Sequence, residues 1–410
     1  MNRHAIVIGA GLAGSSAAER LAARGWQITL IEGGQTPGSG ASGNLAGVLR
    51  PLPSVDDNRL ARLTRTGFAQ ACTHLAALTA AGLPLRWQPT GVLHLARDER
   101  HAATQQRVVE VQQPAASAFS FVDREQASTL AGWPVASGGW WFPGGGWVDP
   151  ASLCRANLLL HADLIRTHYG CRVAQIEHAA GLWRACDAVG EVIAEAPNLI
   201  LANASDARRF TAAAHLPLRA GRGQVTHLPA SANSPPGVVV CRLGYVTPAI
   251  DGLRCAGATF AVDDDDTALR DADHAENLAR LDFILPGYCQ GIDPATLGGR
   301  VGFRPLSPDR LPMIGAVADA AAPAHPSRPL AEMPRLPGLY LVNGFGARGI
   351  VWSALAGELL ACLLSGEPLP LPADLVDAVD PGRFLLRGRS RSRKHSNSDS
   401  ASGSTPGNER

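Results

Sequence analysis

Residues 4–32 read HAIVIGAGLAGSSAAERLAARGWQITLIE and contain the clearest local pattern in the chain. The apolar run Ala5–Ile8 predicts a strand that is buried on both faces and ends in a glycine-rich turn. A helical pattern follows over Ser15–Arg24, and Trp26–Ile31 predicts a second strand that ends at Glu32. Together these elements predict one βαβ unit.

The turn of this unit has the pattern G-x-G-x-x-G, which is typical of dinucleotide binding. Gly9 permits the tight turn, Gly11 lets the backbone approach a pyrophosphate, and Gly14 lets the helix pack closely on the strand. The N-terminus of the helix then presents free N–H groups to the anion. Glu32 is placed to accept hydrogen bonds from an adenosine ribose, and its charge would repel a 2′-phosphate. The alternative is a glycine turn without a ligand.

The composition is that of an ordinary globular protein, because 46% of the 410 residues are hydrophobic and 18% are charged. This excludes a fibrous or wholly disordered protein, and the length suggests two or three domains. With 37 basic and 36 acidic residues, the net charge of +1 excludes nucleic-acid binding by bulk charge but leaves a local basic patch open. The eight cysteines include no CxxC pair, so neither a zinc site nor a disulfide framework is indicated.

The βαβ-type elements lie at both ends of the chain, and the middle alternates short strands with Gly and Pro turns. This order predicts an α/β protein, α+β overall, in which a Rossmann-type FAD-binding domain is interleaved with a mixed or antiparallel-sheet substrate domain. We assign residues 1–84, 150–215 and 335–386 to the FAD-binding domain. The substrate domain comprises residues 85–149 and 216–334, and we expect the Ser- and Arg-rich residues 387–410 to be disordered.

Two further glycine-rich segments favour FAD over NAD. The loop Gly38–Asn44 follows the βαβ unit at once, and Val342–Gly349 forms a second strand-to-helix turn near the other end of the chain. A helix that begins at Ile350 would direct its positive end toward the N1/O2 edge of a flavin, where negative charge grows on reduction. A long cofactor bound by both ends of the chain implies FAD.

Several segments show a resemblance to the FAD-dependent amine oxidase superfamily of D-amino acid oxidase, glycine oxidase and sarcosine oxidase. They are GASGNLAGVLRPLPSVDDNRLARLTRTGF (Gly40–Phe68), GGWWFPGGGWVDPASLCRA (Gly138–Ala156), VGFRPLSPDRLPMIG (Val301–Gly315) and GLYLVNGFGARGIVWSALAGELLA (Gly338–Ala361). Within that superfamily the chain resembles the oxidoreductase half of the bifunctional bacterial enzymes that mature 5-carboxymethylaminomethyl-(2-thio)uridine at the tRNA wobble position. The Trp-rich second segment is the most specific.

The resemblance implies that FAD oxidatively removes the carboxymethyl group from this wobble uridine, which leaves 5-aminomethyl-uridine and glyoxylate. In the bifunctional enzymes a methyltransferase domain precedes the oxidase. We therefore expect no methyl transfer from this chain and a separate methyltransferase as a further partner, beside the tRNA. The predicted cofactor contacts are Gly9, Ala10, Gly11, Ala13, Gly14, Glu32, Ala41, Ser42, Gly43, Asn44, Gly47, Val173, Ala204, Gly344, Gly346, Ala347, Arg348, Gly349 and Ile350.

The predicted substrate is an N-substituted glycine, so its carboxylate needs a cation, and the planar fork of arginine suits it. Arg304 and Arg348 match the positions that hold substrate carboxylates in the superfamily, and Tyr245 matches a strand that faces the substrate. For Arg304 the alternative is a structural salt bridge to Asp309 or another acid. For Arg348 it is a role toward flavin or phosphate only, and for Tyr245 a place in the core.

Aromatic residues 140–142 (Trp, Trp, Phe) offer a stacking surface for an extruded base, or else an aromatic cluster that packs the domain interface. The positively charged side chains of residues 387–410, here called the tail cations, either bind tRNA phosphates without sequence specificity or belong to an extension without a function. These cations are Arg387, Arg389, Arg391, Arg393 and Lys394. We predict no metal site, because His161, His168 and His178 lack ligand spacing and the acidic run 263–266 lacks that of a calcium loop.

Two other functions compete with tRNA modification. A small-molecule oxidase of glycine, sarcosine or D-amino acids would share the FAD residues and both arginines, but would have a small closed pocket. A catalytically idle FAD- or tRNA-binding scaffold is the third. We expect a cytoplasmic protein without a membrane span, since Arg348 and Glu358 interrupt the longest apolar stretch. The oligomeric state and the electron acceptor stay open.

Overall fold

Two β-sheets organise the chain in a computed structural model that describes residues 3–230, 235–322 and 329–386. The helices are α1 (Leu12–Ala22), α2 (Arg59–Ala80), α3 (Glu99–Gln112), α4 (Arg124–Ala131), α5 (Pro150–Leu160), α6 (Asp271–Ile284), α7 (Gly349–Ser365) and α8 (Ala373–Val379). The 3-10 turns are Ala204–Arg209, Thr211–Ala213, Pro294–Thr296 and Leu330–Glu332.

The strands fall into a first sheet, a second sheet and two small sheets. They are β1 (His4–Ile8), β2 (Gln27–Ile31), β3 (Gly47–Leu49), β4 (Trp87–Gln88), β5 (Val92–Leu95), β6 (Ser120–Val122), β7 (Gly139–Phe142), β8 (Gly146–Val148), β9 (Ile165–His168), β10 (Gln175–Ala179), β11 (Leu182–Cys186), β12 (Val192–Ala196), β13 (Asn198–Leu201), β14 (Arg219–Pro229), β15 (Val239–Cys241), β16 (Tyr245–Val246), β17 (Leu253–Gly257), β18 (Ala261–Val262), β19 (Gly298–Leu306), β20 (Met313–Ala318) and β21 (Arg335–Asn343).

The first sheet has the strand order β20-β21-β13-β1-β2-β9, and its neighbours are parallel except for β20 and β21. Its central strand β1 is buried on both faces, as the continuous apolar sequence predicts. Val7 faces the helices α1 and α7, whereas Ile6 and Ile8 pack with Trp183 of the small antiparallel sheet β10-β11-β12. The predicted Rossmann-type arrangement is confirmed.

Helices α1 and α7 come from opposite ends of the chain and pack directly on each other. Gly357 of α7 permits this approach, because a Cβ atom there would collide with Ser16 of α1. The hydroxyl of Ser16 donates a hydrogen bond to the carbonyl oxygen of Ser353. Arg24, which follows α1 directly, also links the two helices, because it donates a hydrogen bond to the carboxylate of Glu358 in α7 at 2.7 Å.

The second sheet is mixed, with the order β18-β14-β17-β16-β15-β5-β7-β6, and β19 also pairs with β14. Most neighbours are antiparallel, as the Gly- and Pro-punctuated sequence predicts, but β15 and β5 are parallel. The helices α4 and α6 cover it, with Ala127 and Leu278 in its core. The predicted mixed, largely antiparallel substrate sheet is confirmed.

The strand order bears on the last domain boundary. Strand β20 lies within the range 216–334 of the predicted substrate domain, yet it pairs with β21 in the first sheet. We therefore propose that the last segment of the FAD-binding domain begins before Met313 instead of at residue 335. The other boundaries stay a prediction, and residues 387–410, including the tail cations, lie outside the described residues.

Some local elements differ from the sequence prediction. The helix expected over 150–165 ends at Leu160, and β9 follows it as an edge strand of the first sheet. Helix α3 was not predicted, because only Gln105 and Val108 of its residues are buried and its apolar periodicity is weak.

Candidate flavin and substrate cleft

A cleft of about 1740 Å³ is lined both by residues that follow the carboxyl ends of β1 and β2 and by residues of the second sheet. Gly9 and Glu32 belong to the first group, and Tyr245 and Arg304 belong to the second. The carboxyl edge of a parallel sheet is where open α/β proteins bind ligands. The cleft therefore joins the predicted cofactor residues to the predicted substrate residues.

The glycine turn has the steric features that the sequence predicts. Gly9 has a φ of +103°, and a Cβ atom there would lie 2.7 Å from the carbonyl oxygen of Ala202. A Cβ atom at Gly14 would collide with the carbonyl oxygen of Gly9, so only glycine lets α1 start this close to the turn. Gly11 lines the cleft, where the lack of a side chain leaves the backbone accessible.

Glu32 binds the turn through both of its carboxylate oxygens. Oε2 accepts a hydrogen bond from the backbone N–H of Ala10 at 2.7 Å, and Oε1 accepts one from Gly34 at 2.7 Å. Each oxygen keeps further acceptor capacity, and Glu32 lines the cleft. The carboxylate can therefore hold the turn and accept hydrogen bonds from ligand hydroxyls at the same time.

Two helices begin at the cleft without a side-chain cap. Helix α1 starts after Gly11 and α7 starts after Arg348, and neither residue caps its helix with a side-chain hydrogen bond. The hydroxyl of Ser42 accepts a hydrogen bond from Leu12 at 3.0 Å, within the first turn of α1. The Ser42 hydroxyl thus pairs one N–H group of α1, and both helices direct their remaining N-terminal N–H groups and positive dipole ends at the cleft. Anionic or electron-rich parts of a ligand are stabilised there.

The cleft also contains buried polar atoms that have no partner among the described residues. One is Nδ1 of His94, and the other two are Oδ1 of Asn203 and Oγ of Ser205, which flank the predicted contact Ala204. Buried polar groups are normally paired, so these atoms indicate a ligand that completes their hydrogen bonds. With the glycine turn, Glu32 and the two helix ends, they fit a long polar cofactor such as FAD.

Most of the predicted cofactor residues line the cleft. Those that do are Gly9, Gly11, Ala13, Glu32, Ala41, Ser42, Asn44, Gly47, Val173, Ala204, Gly346, Ala347, Arg348, Gly349 and Ile350. Four others do not line it: Ala10, Gly14, Gly43 and Gly344. Ala10 donates its backbone N–H to Glu32, and a Cβ atom at Gly14 or Gly43 would collide with Gly9 or Arg300, respectively. Gly344 has a φ of +74°.

Arg304 is half-buried in the cleft and has no carboxylate within 4.0 Å in the described part of the chain. Among the described residues, its Nη1 atom donates to the carbonyl oxygen of Thr259 at 3.3 Å. Burial, with a smaller effect from the charge of Arg280, lowers the pKa of Arg304 below its ordinary value. The alternative of a salt bridge to Asp309 is wrong, because Asp309 pairs with Arg383 at 3.0 Å.

Arg348 lines the same cleft beside two other guanidinium groups. Burial, followed by the charges of Arg50 and Arg310, lowers the pKa of Arg348 below its ordinary value. Arg50 also lines the cleft, and its Nη1 atom donates to the carbonyl oxygen of Pro51 at 3.1 Å. Over the ranges described, neither Arg50 nor Arg348 has a carboxylate within 4.0 Å. Arg50, Arg304 and Arg348 thus place three guanidinium groups in the cleft that have no carboxylate within 4.0 Å among the described residues, which suits an anionic ligand.

Comparison with known proteins gives the family. A family model described as FAD dependent oxidoreductase matches residues 4–363. The chain belongs to the FAD-dependent oxidoreductase family. FAD is therefore the cofactor of this oxidoreductase, and the glycine turn, Glu32 and the two uncapped helices are the features that would hold it.

Two curated relatives share the name tRNA 5-methylaminomethyl-2-thiouridine biosynthesis bifunctional protein MnmC. The protein from Aromatoleum aromaticum is 63% identical over 385 residues, and the one from Azoarcus sp. is 56% identical over 385 residues. Each match covers 94% of this chain and 60% of the relative. This oxidoreductase thus spans about 60% of the length of the curated relatives it matches.

Solved structures show the same fold at lower sequence identity. Glycine oxidase from Geobacillus kaustophilus is 21% identical, with a TM-score of 0.73, and the match covers 91% of this chain and 98% of that one. Iminodiacetate oxidase from Chelativorans sp. BNC1 is 25% identical, with a TM-score of 0.73, and the match covers 92% and 98%. The flavoenzyme fold predicted from the sequence is therefore confirmed.

Tyr245 of this oxidoreductase lines the cleft with Arg304. Its hydroxyl lies 3.3 Å from Sγ of Cys255 and 3.5 Å from the carbonyl oxygen of Ala46. Burial, with smaller effects from Cys255, raises the pKa of Tyr245 well above its ordinary value, whereas the charge of Arg304 acts in the opposite direction. Tyr245 is therefore a neutral hydrogen-bonding group at neutral pH and cannot serve as a base.

The aromatic residues 140–142 do not form the predicted stacking surface. Trp140 and Phe142 are 5% and 0% exposed, and Nε1 of Trp140 donates to the carbonyl oxygen of Gln105 at 3.0 Å. Trp141 packs against Gly91, where a Cβ atom would collide with its ring. Trp140 and Phe142 share one core cluster with residues of the second sheet and with Ala46 of the predicted FAD-binding domain, so they pack as an aromatic cluster, as the alternative has it.

The acidic run, the histidines and the cysteines considered in the sequence do not form a metal site or a disulfide among the described residues. Asp264 and Asp266 pair with Arg270 at 2.6 and 2.7 Å, and the ring of His178 packs on Trp183. All eight cysteines are unpaired. Across the described segments, no group of three His, Cys, Asp or Glu side chains is arranged to hold a metal, and no helix is long and apolar enough to cross a membrane.

Arg50, Asn203 and Ser205 line the cleft but were not predicted from the sequence. Arg50 lies in the Gly40–Phe68 segment that carries the family resemblance, directly before Pro51. An arginine at the end of a short strand in that segment was the available signal. The sequence contains no comparable signal for Asn203 and Ser205, because their position in the cleft depends on the pairing of β13 with β1 in the first sheet.

Proposed function

We propose that this oxidoreductase removes the carboxymethyl group from 5-carboxymethylaminomethyl-(2-thio)uridine at the tRNA wobble position. The products are 5-aminomethyl-(2-thio)uridine and glyoxylate. The observation that carries the proposal is Arg304, a half-buried guanidinium in the flavin cleft with no acidic partner among the described residues. The names of the curated relatives, at 63% and 56% identity, supply the class of substrate.

The modified uridine carries a secondary amine joined to a CH2–carboxylate group. When bound, FAD would supply the two-electron acceptor for a hydride from this methylene. As the C–H bond breaks, the lone pair of the amine forms a C=N double bond. Water then adds to the carbon, the C–N bond breaks, and the nitrogen leaves with a proton as the primary amine. The former methylene and its carboxylate leave as glyoxylate, so the atoms and electrons balance.

Arg304 positions the substrate through its carboxylate. A guanidinium binds a carboxylate with two parallel hydrogen bonds, which fixes the direction of the adjoining methylene. Because Arg304 is partly desolvated and has no carboxylate partner among the described residues, this interaction is stronger than one at the protein surface. Arg348 and Arg50 add positive charge to the same cleft.

Tyr245 completes the binding of the carboxylate as a neutral phenol. Its raised pKa keeps the hydroxyl protonated, so that it donates a hydrogen bond instead of adding a second negative charge. The reaction needs positioning more than a strong base, because the amine reacts as the neutral species. The positive charge of the cleft favours that neutral form of the amine.

The charges along the cleft suit a polyanion. Seven arginines and three acidic residues line it, although the net charge of the chain is only +1. This excess of positive charge serves both the pyrophosphate of the cofactor and the phosphates of an RNA substrate. An enzyme of tRNA maturation would act in the cytoplasm, and the product amine is the substrate that a methyltransferase would need to make a methylaminomethyl group.

Oxidation of a free N-substituted glycine is the second candidate. It is favoured by the 25% identity with iminodiacetate oxidase, whose name describes a small amine dicarboxylate. It shares Arg304, Tyr245 and the flavin site with the first proposal. The first candidate predicts faster flavin reduction by the modified tRNA, and the second predicts faster reduction by the free amine.

Anaerobic stopped-flow absorbance distinguishes the two. The purified FAD-loaded protein is mixed with an anticodon stem-loop that carries the modified uridine, and in parallel with glycine, sarcosine and iminodiacetate. We expect the stem-loop to bleach the flavin at lower concentration than any of the small amines, with release of glyoxylate. Bleaching by iminodiacetate or sarcosine but not by the stem-loop would replace the proposal with the second candidate.

A further inference from the structure

Phe260 is an exposed aromatic side chain inside the cleft. It lies between β17 and β18 and is 55% exposed. The other Phe and Tyr residues that line the described part of the cleft are buried or half-buried: Phe210, Tyr245, Phe303 and Phe345. Its neighbour in the cleft, Leu243, is 58% exposed. A large apolar surface is thus open to a ligand at this point.

The ring of Phe260 lies next to the arginine that binds the carboxylate. Arg304 donates to the carbonyl oxygen of Thr259, the residue directly before Phe260. The Cε2 atom of Phe260 lies 3.0 Å from the position that a Cβ atom on Gly221 would take. Gly221 in turn pairs with Arg304 across β14 and β19. The ring and the guanidinium therefore occupy neighbouring positions on one wall of the cleft.

The backbone around Phe260 is held in place by specific hydrogen bonds. Thr259 is buried, and it exchanges hydrogen bonds with Gln224 through its backbone N–H at 3.2 Å and its hydroxyl at 3.0 Å. Arg280 donates to the carbonyl oxygens of Ala258 at 2.7 Å and of Leu243 at 3.5 Å. Leu243 has a φ of +55°, an unfavourable conformation for a branched side chain that this support maintains. The exposed side chains therefore stand on a fixed backbone.

We propose that Phe260 determines specificity by stacking on the uracil ring of the modified uridine while Arg304 holds its carboxylate. This inference rests on the proposed function. Only three atoms of the substituent, two methylenes and an amine, separate the uracil ring from the carboxylate. A base whose carboxylate is bound by Arg304 is thus near the ring of Phe260. Aromatic side chains recognise extruded bases by such stacking, whereas glycine and sarcosine have no ring to stack.

The test compares Phe260→Ala, Phe260→Leu and Phe260→Trp as FAD-loaded proteins. Leucine keeps the apolar bulk without a ring, and tryptophan keeps a ring. The concentration dependence of anaerobic flavin reduction gives the Kd of the modified stem-loop. Acetate, a carboxylate without a base, is titrated separately by its effect on the flavin absorption spectrum. Phe283→Leu is the matched control, because Phe283 is exposed but does not line the cleft.

We expect the Kd of the stem-loop to rise about 10- to 100-fold for the Ala and Leu variants, as for other base-stacking residues. The Trp variant should stay within about threefold of the unaltered protein, and all variants should bind acetate equally. An unchanged Kd in Phe260→Ala would overturn the inference, and so would an equal loss of acetate binding. If the stem-loop fails to reduce the flavin of the unaltered protein, the proposed function itself is wrong and the inference fails with it.

Discussion

The guanidinium of Arg304, on β19, lies over Gly223 of the neighbouring strand β14, in the space that a side chain at position 223 would fill. Gly223 thereby shapes the proposed substrate site although it carries no functional group. The absence of its side chain leaves room for the guanidinium beside the strand. The position of the guanidinium thus depends on glycine at this residue.

Gly223→Ala should displace the guanidinium and lower kcat/KM for the modified stem-loop by about 100-fold, because small errors in substrate position are costly. FAD content should not change. Steady-state kinetics and the flavin spectrum measure both. Gly298→Ala, on the same strand as Arg304 but with no atom within 4 Å of the added Cβ, is the control. Normal kinetics in Gly223→Ala would show that the close packing has no effect on the substrate.

Arg304→Ala should raise KM for the modified tRNA and lower the rate of flavin reduction while FAD stays bound. Loss of one partner of a desolvated charge pair predicts a decrease of about 30-fold or more in kcat/KM. Arg304→Lys keeps the charge but not the two-pronged geometry, so it should recover only part of the activity. Arg107→Ala, a change on the exposed side of α3, is the control. Stopped-flow kinetics of all three variants measure these effects. If Arg304→Ala reduced its flavin as fast as the unaltered protein, Arg304 would be excluded from this role.

Glu32→Gln should weaken FAD binding by about 10-fold or more. One amide oxygen cannot replace the two carboxylate oxygens that accept hydrogen bonds from Ala10 and Gly34, and a buried unpaired N–H costs about 1–3 kcal/mol. Quenching of flavin fluorescence on titration into FAD-free protein gives the Kd. Glu177→Gln, at an exposed position of β10, should bind FAD normally. Equal affinities in both variants would contradict the role assigned to Glu32.

His74 should make the protein less stable in mild acid. Burial, together with the charge of Arg20, lowers the pKa of His74 from 6.5 to about 4, and its ring bonds Arg20 and Asn157 at 2.9 and 2.8 Å. The unfolded chain binds the proton more readily, so stability is fully present above pH 6.5 and decreases as the pH falls toward 4. The contribution is about 3 kcal/mol.

The measurement is urea unfolding at pH 7.5 and pH 4.5. His74→Gln keeps a donor and an acceptor but cannot titrate, so its free energy of unfolding should fall less between these pH values. His178→Gln, at an exposed position, should behave like the unaltered protein. An identical pH dependence in His74→Gln would show that other groups cause the acid destabilisation.

The sequence predicts the flavin half of the site because its determinants are local. Gly9, Gly14 and Glu32 act within one βαβ unit, where the reason for each residue is apparent from its neighbours. Arg304 and Tyr245 follow from the family resemblance and meet in the cleft.

The proposed stacking residue, Phe260, could not be identified in the same way. Trp140 and Phe142 are prominent in the sequence, but their strand β7 lies inside the second sheet, between β5 and β6. The exposure of Phe260 depends on long-range bonds from Gln224 and Arg280, which no local pattern shows. Helix α3 was not predicted because most of its residues are exposed, which leaves little apolar periodicity in its sequence.

The packing of α1 against α7 also has a consequence for synthesis of the protein. Strand β1 is completed by β13, and β13 by β21, so the first sheet is finished only after residues 335–343 have left the ribosome. Until then the edge of β13 that pairs with β21 and the apolar face of α1 that packs on α7 remain uncovered. Cofactor loading therefore has to follow translation of nearly the whole described chain, and products of premature termination expose surfaces that promote aggregation.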